Sequence, residues 1–130
     1  IPFPDSGLIV ETPYNVLKTN KELGLHTLCY LDIKAEEKRY MSIKQGLEAL
    51  LIVEKKKLQR IVTSETIAVG IARAGSNAPS VKADRVSALL EFDFGAPPHV
   101  LVFPGRLHFM EAEALVALVK APEAVRRMAE

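Results

Sequence analysis

The chain has no tryptophan, a single cysteine, few aromatic residues (6%) and almost no net charge, with 17 Lys and Arg against 16 Asp and Glu. Each shortage excludes something. One thiol, Cys29, cannot close an internal disulfide, so a disulfide-stapled scaffold is out and a reducing, cytoplasmic setting is expected. A net charge of +1 is too small to steer the whole domain onto nucleic acid or an anionic membrane. No apolar run approaches the roughly 20 residues of a membrane helix, and no secretory signal opens the chain. Neither a C-x-x-C nor an H-E-x-x-H spacing occurs, so no metal site is expected. What remains is 130 residues, 48% hydrophobic and 25% charged, which fit one globular domain and exclude disorder. The chain opens Ile1-Pro2-Phe3-Pro4 without Met, and isoleucine is too large to follow a trimmed Met. The sequence therefore reads as a piece of a longer protein.

Residues 1–11 read as an extended, Pro-rich lead-in, and 12–130 as one α/β domain. Thr12-Pro13 and Gly24 bracket a helix over 13–23. His26 to Ile33 is rich in strand formers and is expected to be a buried strand. Ser42 and Gln45 form a capping box for a helix over 43–57, whose Lys55, Lys56 and Lys57 suit the negative end of the helix dipole. Gly46 inside that helix suggests close packing. Thr66 to Ala72 reads as a second strand and ARAGSNAPS as a loop. Val81-Lys82 suggests a short strand, followed by a helix over 84–91. HVLVF over 99–103 is the third strand, and helices over 110–119 and 122–129 complete the chain. Helices separate the strands, so a largely parallel or mixed sheet flanked by helices is expected.

Few residues stand out chemically. Cys29, mid-strand, reads as a core hydrophobe. His26 and His108 read as structural or surface histidines. His99 starts a strand straight after Pro97-Pro98, at a loop junction, and is more open. The stretch Gly70 to Ser76 is no phosphate loop. Its small residues either make a turn or leave backbone against which a flat ligand can lie. Lys55 to Arg60 could touch RNA but has no aromatic interleaved for stacking, and a solvated helix end accounts for it. The charged loop Asp32 to Arg39 lies at a strand end, where ligands of α/β sheets sit, and equally fits plain solvation.

Read together, the runs GLHTLCYLDIKAEEKRYMS (24–42), ARAGS (72–76) and DFGAPPHVLVFPGRLHFMEAEAL (93–115) resemble the diphthine synthase family of the tetrapyrrole (precorrin) methylases. The likeness is gap-poor and runs from about Thr12 to Arg126. It implies the C-terminal domain of a two-domain fold that holds S-adenosylmethionine between its domains. The activity it implies is methyl transfer to the diphthamide precursor on a histidine of translation elongation factor 2. It implies further that Leu31 walls the cofactor, Ala74 presents backbone to it and His99 contacts it. No catalytic residue is assigned in this domain, and His99 as a base is a minor alternative. The partners implied are elongation factor 2, the protein's own N-terminal domain and a second copy in a homodimer. Two other functions compete: a non-catalytic module docking a protein through an apolar face, and RNA binding through Lys55 to Arg60.

Overall fold

A computed structural model describes residues 1–129. Its helices are α1 (Thr12–Glu22), α2 (Ile43–Lys57), the single-turn α3 (Val86–Leu89) and α4 (Phe109–Val119). The strands β1 (Thr27–Tyr30), β6 (His99–Phe103), β4 (Ile67–Ala72) and β5 (Ser80–Arg85) lie side by side in that order. A two-stranded ribbon, β2 (Ile33–Lys34) with β3 (Arg39–Tyr40), precedes α2.

Helices flank a sheet, as expected of the α/β class, but the strand sense differs from expectation. Every pairing in the main sheet is antiparallel. The reason lies in the topology. β1 and β4 both run opposite to β6, so they point the same way, and the segment through α2 is a true crossover between them. β6 then inserts between the two crossover strands, a split βαβ unit. β5 adds itself to β4 by a hairpin, which periodicity alone had read as a loop, a two-residue strand and a helix over 84–91. The helix there is one turn, because Lys82, Asp84 and Arg85 belong to an edge strand paired with β4 along its length, and their charges pair locally. Lys82 Nζ lies 3.2 Å from Asp84. The strand expected over 26–33 splits after Tyr30, where the chain turns into the ribbon. The helix expected over 122–129 is a 3₁₀ segment, Glu123–Met128.

Alternation assigns the two faces. Cys29, Ala68, Ala72, Leu101 and Phe103 point into a core built with α1, α2 and α3. Val69 and Ala83, with Ile67 and Ile71, meet α4 and the 3₁₀ segment on the other face. The box Ser42–Gln45 forms as expected, with both reciprocal bonds. Cys29 is buried, and burial raises its thiol above the ordinary range. It is a packing residue, not a nucleophile.

The lead-in is docked on the domain. Ile1 N–H donates to the Tyr30 carbonyl (2.6 Å), and Asp32 N–H donates to that of Ile1 (3.1 Å), the pattern of a parallel ladder. Asp5 takes both Lys34 (2.5 Å) and Arg39 (3.0 Å). The Arg39 guanidinium and then the Lys34 ammonium hold the Asp5 carboxyl down at about 2. Arg39 also sits over the Phe3 ring, 4.1 Å from its centroid. Lys34 and Arg39 of the 32–39 loop are therefore engaged in fastening residues 3–5.

Candidate functional site at the strand tips

Register brings the three residues implied by the resemblance to one end of the sheet. Tyr30 pairs with Val100 and Ala72 pairs with His99. Leu31 is the residue after β1, His99 the first of β6, and Ala74 lies two beyond β4. The span from β1 across β6 to β4 is two strand spacings, about 10 Å, the size of a nucleoside.

Each of the three offers something different. Leu31 is buried against α2, where a side chain on Gly46 would come within 2.6 Å of its Cδ2. Ala74 is exposed in the turn after β4, so its backbone is open to a ligand. His99 is half-buried, and both ring nitrogens are engaged. The Ile43 N–H can only donate, so Nδ1 (3.3 Å) accepts. The Gly95 carbonyl can only accept, so Nε2 (2.9 Å) carries the proton. These partners place the ring hydrogen on Nε2. The ring itself remains available as a contact surface, steadied by Phe94 at a centroid distance of 6.0 Å. Ile43 is the first residue of α2, so the positive end of that helix dipole lies at the same sheet end.

Sequence reasoning missed the residue that joins the loops around this site. Arg73, at φ +53°, donates from Nε to the Ala78 carbonyl (3.0 Å) and from Nη1 to those of Phe94 (3.0 Å) and Ala96. Only the left-handed backbone, unusual for a residue with a side chain, could have flagged it, and sequence does not display that.

Lys56 and Lys57 both meet Glu11, at 2.9 and 3.2 Å. His26 accepts from Gly105 N–H (2.8 Å) and bridges to Glu111 (2.8 Å). His108 caps α4 by accepting from Met110 N–H (3.1 Å). The last two are structural histidines, as expected. No cluster of His, Cys, Asp or Glu able to hold a metal occurs among the described residues. No helix among the described residues is long and apolar enough to cross a membrane. A cavity of about 340 Å³ opens at the opposite end of the sheet, between Leu17, Phe103 and Arg106. It lies away from the three strand tips, and no buried side-chain polar atom among the described residues lacks a partner there or elsewhere.

Comparison with known proteins decides the relationship. No family model matches the chain. The diphthine synthase of Methanosarcina acetivorans is 52% identical over 127 residues, 94% of this chain and 47% of that protein. The chain is homologous to the diphthine synthases. That of Methanococcus maripaludis strain C5 is 46% identical over 115 residues, 88% of this chain and 45% of the relative. A crystal structure of a diphthine synthase superposes with a TM-score of 0.80 at 39% identity, over 94% of this chain and 45% of that one. The chain spans about half the length of the diphthine synthases it matches.

The packing of Gly46 on Leu31 gives a test within this site. Gly46→Ala gains roughly 1 kcal/mol of helix propensity. It also pushes the Leu31 methyl out of its seat. We expect thermal stability to change by less than about 1 kcal/mol, because the clash is with the flexible end of a side chain. The Leu31 methyl resonances should shift strongly in a ¹³C-methyl spectrum. Unchanged Leu31 resonances would show that the two do not pack as described.

Proposed function

We propose that this chain is the C-terminal, cofactor-binding half of an S-adenosylmethionine-dependent methyltransferase, a diphthine synthase acting in diphthamide biosynthesis. Its substrate is the diphthamide precursor on a histidine of translation elongation factor 2, in the cytoplasm. The observation that carries this is the convergence of Leu31, Ala74 and His99 at one sheet end in a homologue of the diphthine synthases.

The residues fit such a cofactor. Leu31 offers an apolar wall that excludes water. Ala74 and Gly75 carry no side chain large enough to keep a planar base from the backbone. His99 offers a flat ring whose two nitrogens are already engaged with the protein. When bound, S-adenosylmethionine supplies a methyl group already activated by its sulfonium. The protein's task is then alignment and exclusion of water rather than acid–base work. That suits a set of strand tips with no paired carboxylates.

On the face away from α2, Tyr30, Val100, Ile71 and Val81 form a cross-strand row that ends at these tips, and Tyr30 is 72% exposed. We propose that the N-terminal half packs near this row and closes the cleft. The outer face of α4, where Met110, Ala114 and Leu118 are exposed, suits a second copy in a homodimer. A monomeric mass by light scattering for the full-length protein would remove the dimer.

The test is methyl transfer from labelled S-adenosylmethionine to elongation factor 2 carrying the unmethylated precursor, using the full-length protein. Label should appear on the modified histidine. Label absent there, with a folded enzyme that binds no cofactor, would refute the proposal.

A further inference from the structure

We infer that Arg73 is a positioning residue of the cofactor site, acting through Ala74 and His99. This rests on the function proposed above and adds a residue that the resemblance does not assign. Arg73 lies at the junction of two loops that flank the strand tips. Its backbone N–H donates to the Pro98 carbonyl (2.7 Å), beside His99, and its own carbonyl accepts from Ser76 N–H (3.1 Å). Its side chain crosses from one loop to the other, bonding Ala78 of the first and Phe94 and Ala96 of the second.

The second loop is in turn tied to the site. Gly95, between the two carbonyls that Arg73 holds, gives its own carbonyl to His99 Nε2 (2.9 Å). A side chain at Gly95 would come within 3.4 Å of Arg73 Nη1, and its φ of +74° favours glycine in any case. Asp93 accepts from Gly95 N–H (2.8 Å) and fixes the turn. The links run from Ala74 to Arg73 by a peptide bond, from Arg73 to Phe94 by a hydrogen bond, on to Gly95 by a second peptide bond, and from Gly95 to His99 by a hydrogen bond.

Three features make the guanidinium more than a surface charge. It bonds carbonyl oxygens and, among the described residues, no carboxylate. Its planar fork reaches separate acceptors in a fixed geometry, which a lysine ammonium cannot reproduce. The residue also holds a left-handed backbone, a conformation that costs free energy and persists where its surroundings over-determine it. An arginine used only for solvation needs none of these.

The experiment is calorimetric titration of the full-length protein with S-adenosylhomocysteine, for wild type, Arg73→Ala and Arg73→Lys, with hydrogen exchange on each. In Arg73→Ala, amides of residues 74–79 and 93–98 should lose protection while α2 keeps it. Cofactor affinity should fall by about tenfold or more, as for any loss of site alignment. Arg73→Lys should recover little of it. Millimolar guanidinium added to Arg73→Ala should restore most of the affinity, which a variant that is merely less stable would not do. Glu54→Gln, a destabilised variant remote from the tips, should keep wild-type affinity. If the wild type binds and Arg73→Ala binds equally well, Arg73 has no positioning role. If affinity falls but guanidinium leaves it low, the role assigned to the guanidinium is wrong. If the wild type itself does not bind, the function proposed above fails, and this inference falls with it.

Discussion

Glu54→Ala should cost about 3 kcal/mol of stability and lower the melting temperature by about 10 °C. Glu54 lies in the last turn of α2, and its carboxylate organises the chain that leaves the helix. It accepts from the N–H groups of Arg60 (3.0 Å), Ile61 (2.5 Å) and Val62 (2.9 Å) and from the Tyr14 hydroxyl (3.0 Å). Leu58 and Arg60 both have left-handed backbone there, so the turn depends on these bonds. Removing the carboxylate strands Ile61 and Val62 amides in a buried setting and leaves the Tyr14 hydroxyl of a fully buried ring without its acceptor. Such orphaned groups cost more than the bonds contributed.

The same group sets a pH dependence. Burial pushes the Glu54 carboxyl upward, but the Val62 and Arg60 amides, the Tyr14 hydroxyl and the Ile61 amide outweigh it, so its pKa is lowered. A lowered carboxyl contributes stability above its unfolded pKa of about 4.3, and loses it as pH falls through the folded value. The gap in stability between wild type and Glu54→Ala should therefore be full at neutral pH and narrow below about pH 4. Urea melts at several pH values measure this. A gap that stays constant into acid would mean the carboxylate is not the acceptor described.

Ala74→Phe is expected to separate binding from folding. Ala74 is exposed and its backbone is not left-handed, so a larger side chain there should change stability by less than about 0.5 kcal/mol. A ring at that position would occupy the place where a planar ligand must meet the backbone. The full-length protein should then lose cofactor affinity by about 100-fold, since a clash discriminates more sharply than a lost contact. Calorimetry with S-adenosylhomocysteine, beside a thermal melt, reads both. Unchanged affinity would remove Ala74 from the site.

How much of this was legible in the sequence differs by element. Helix α2 was read to the residue, because Ser42, Gln45 and the terminal lysines each act within one turn. β6 was equally plain, as five strand-forming residues between prolines. β5 was not. It is an edge strand alternating polar Ser80, Lys82 and Asp84 with Val81 and Ala83, and Asp84-Arg85 before Val86 and Leu89 fits a helix start until its partner β4 is known. The sheet order was out of reach for a related reason. Only long-range packing shows that β6, from the last third of the chain, enters between β1 and β4. At the site, Leu31, Ala74 and His99 came from the resemblance, while periodicity alone had marked a strand end, a small-residue edge and a loop-junction histidine. Arg73 was hidden because its role lies in where its guanidinium goes, across 21 residues to Phe94.

The most direct test is a crystal structure of the full-length protein with S-adenosylhomocysteine bound. The account predicts the adenosyl group in van der Waals contact with Leu31, the backbone of Ala74 and the ring of His99. An adenosyl group bound elsewhere, such as the cavity between Leu17, Phe103 and Arg106 at the opposite end of the sheet, would contradict it.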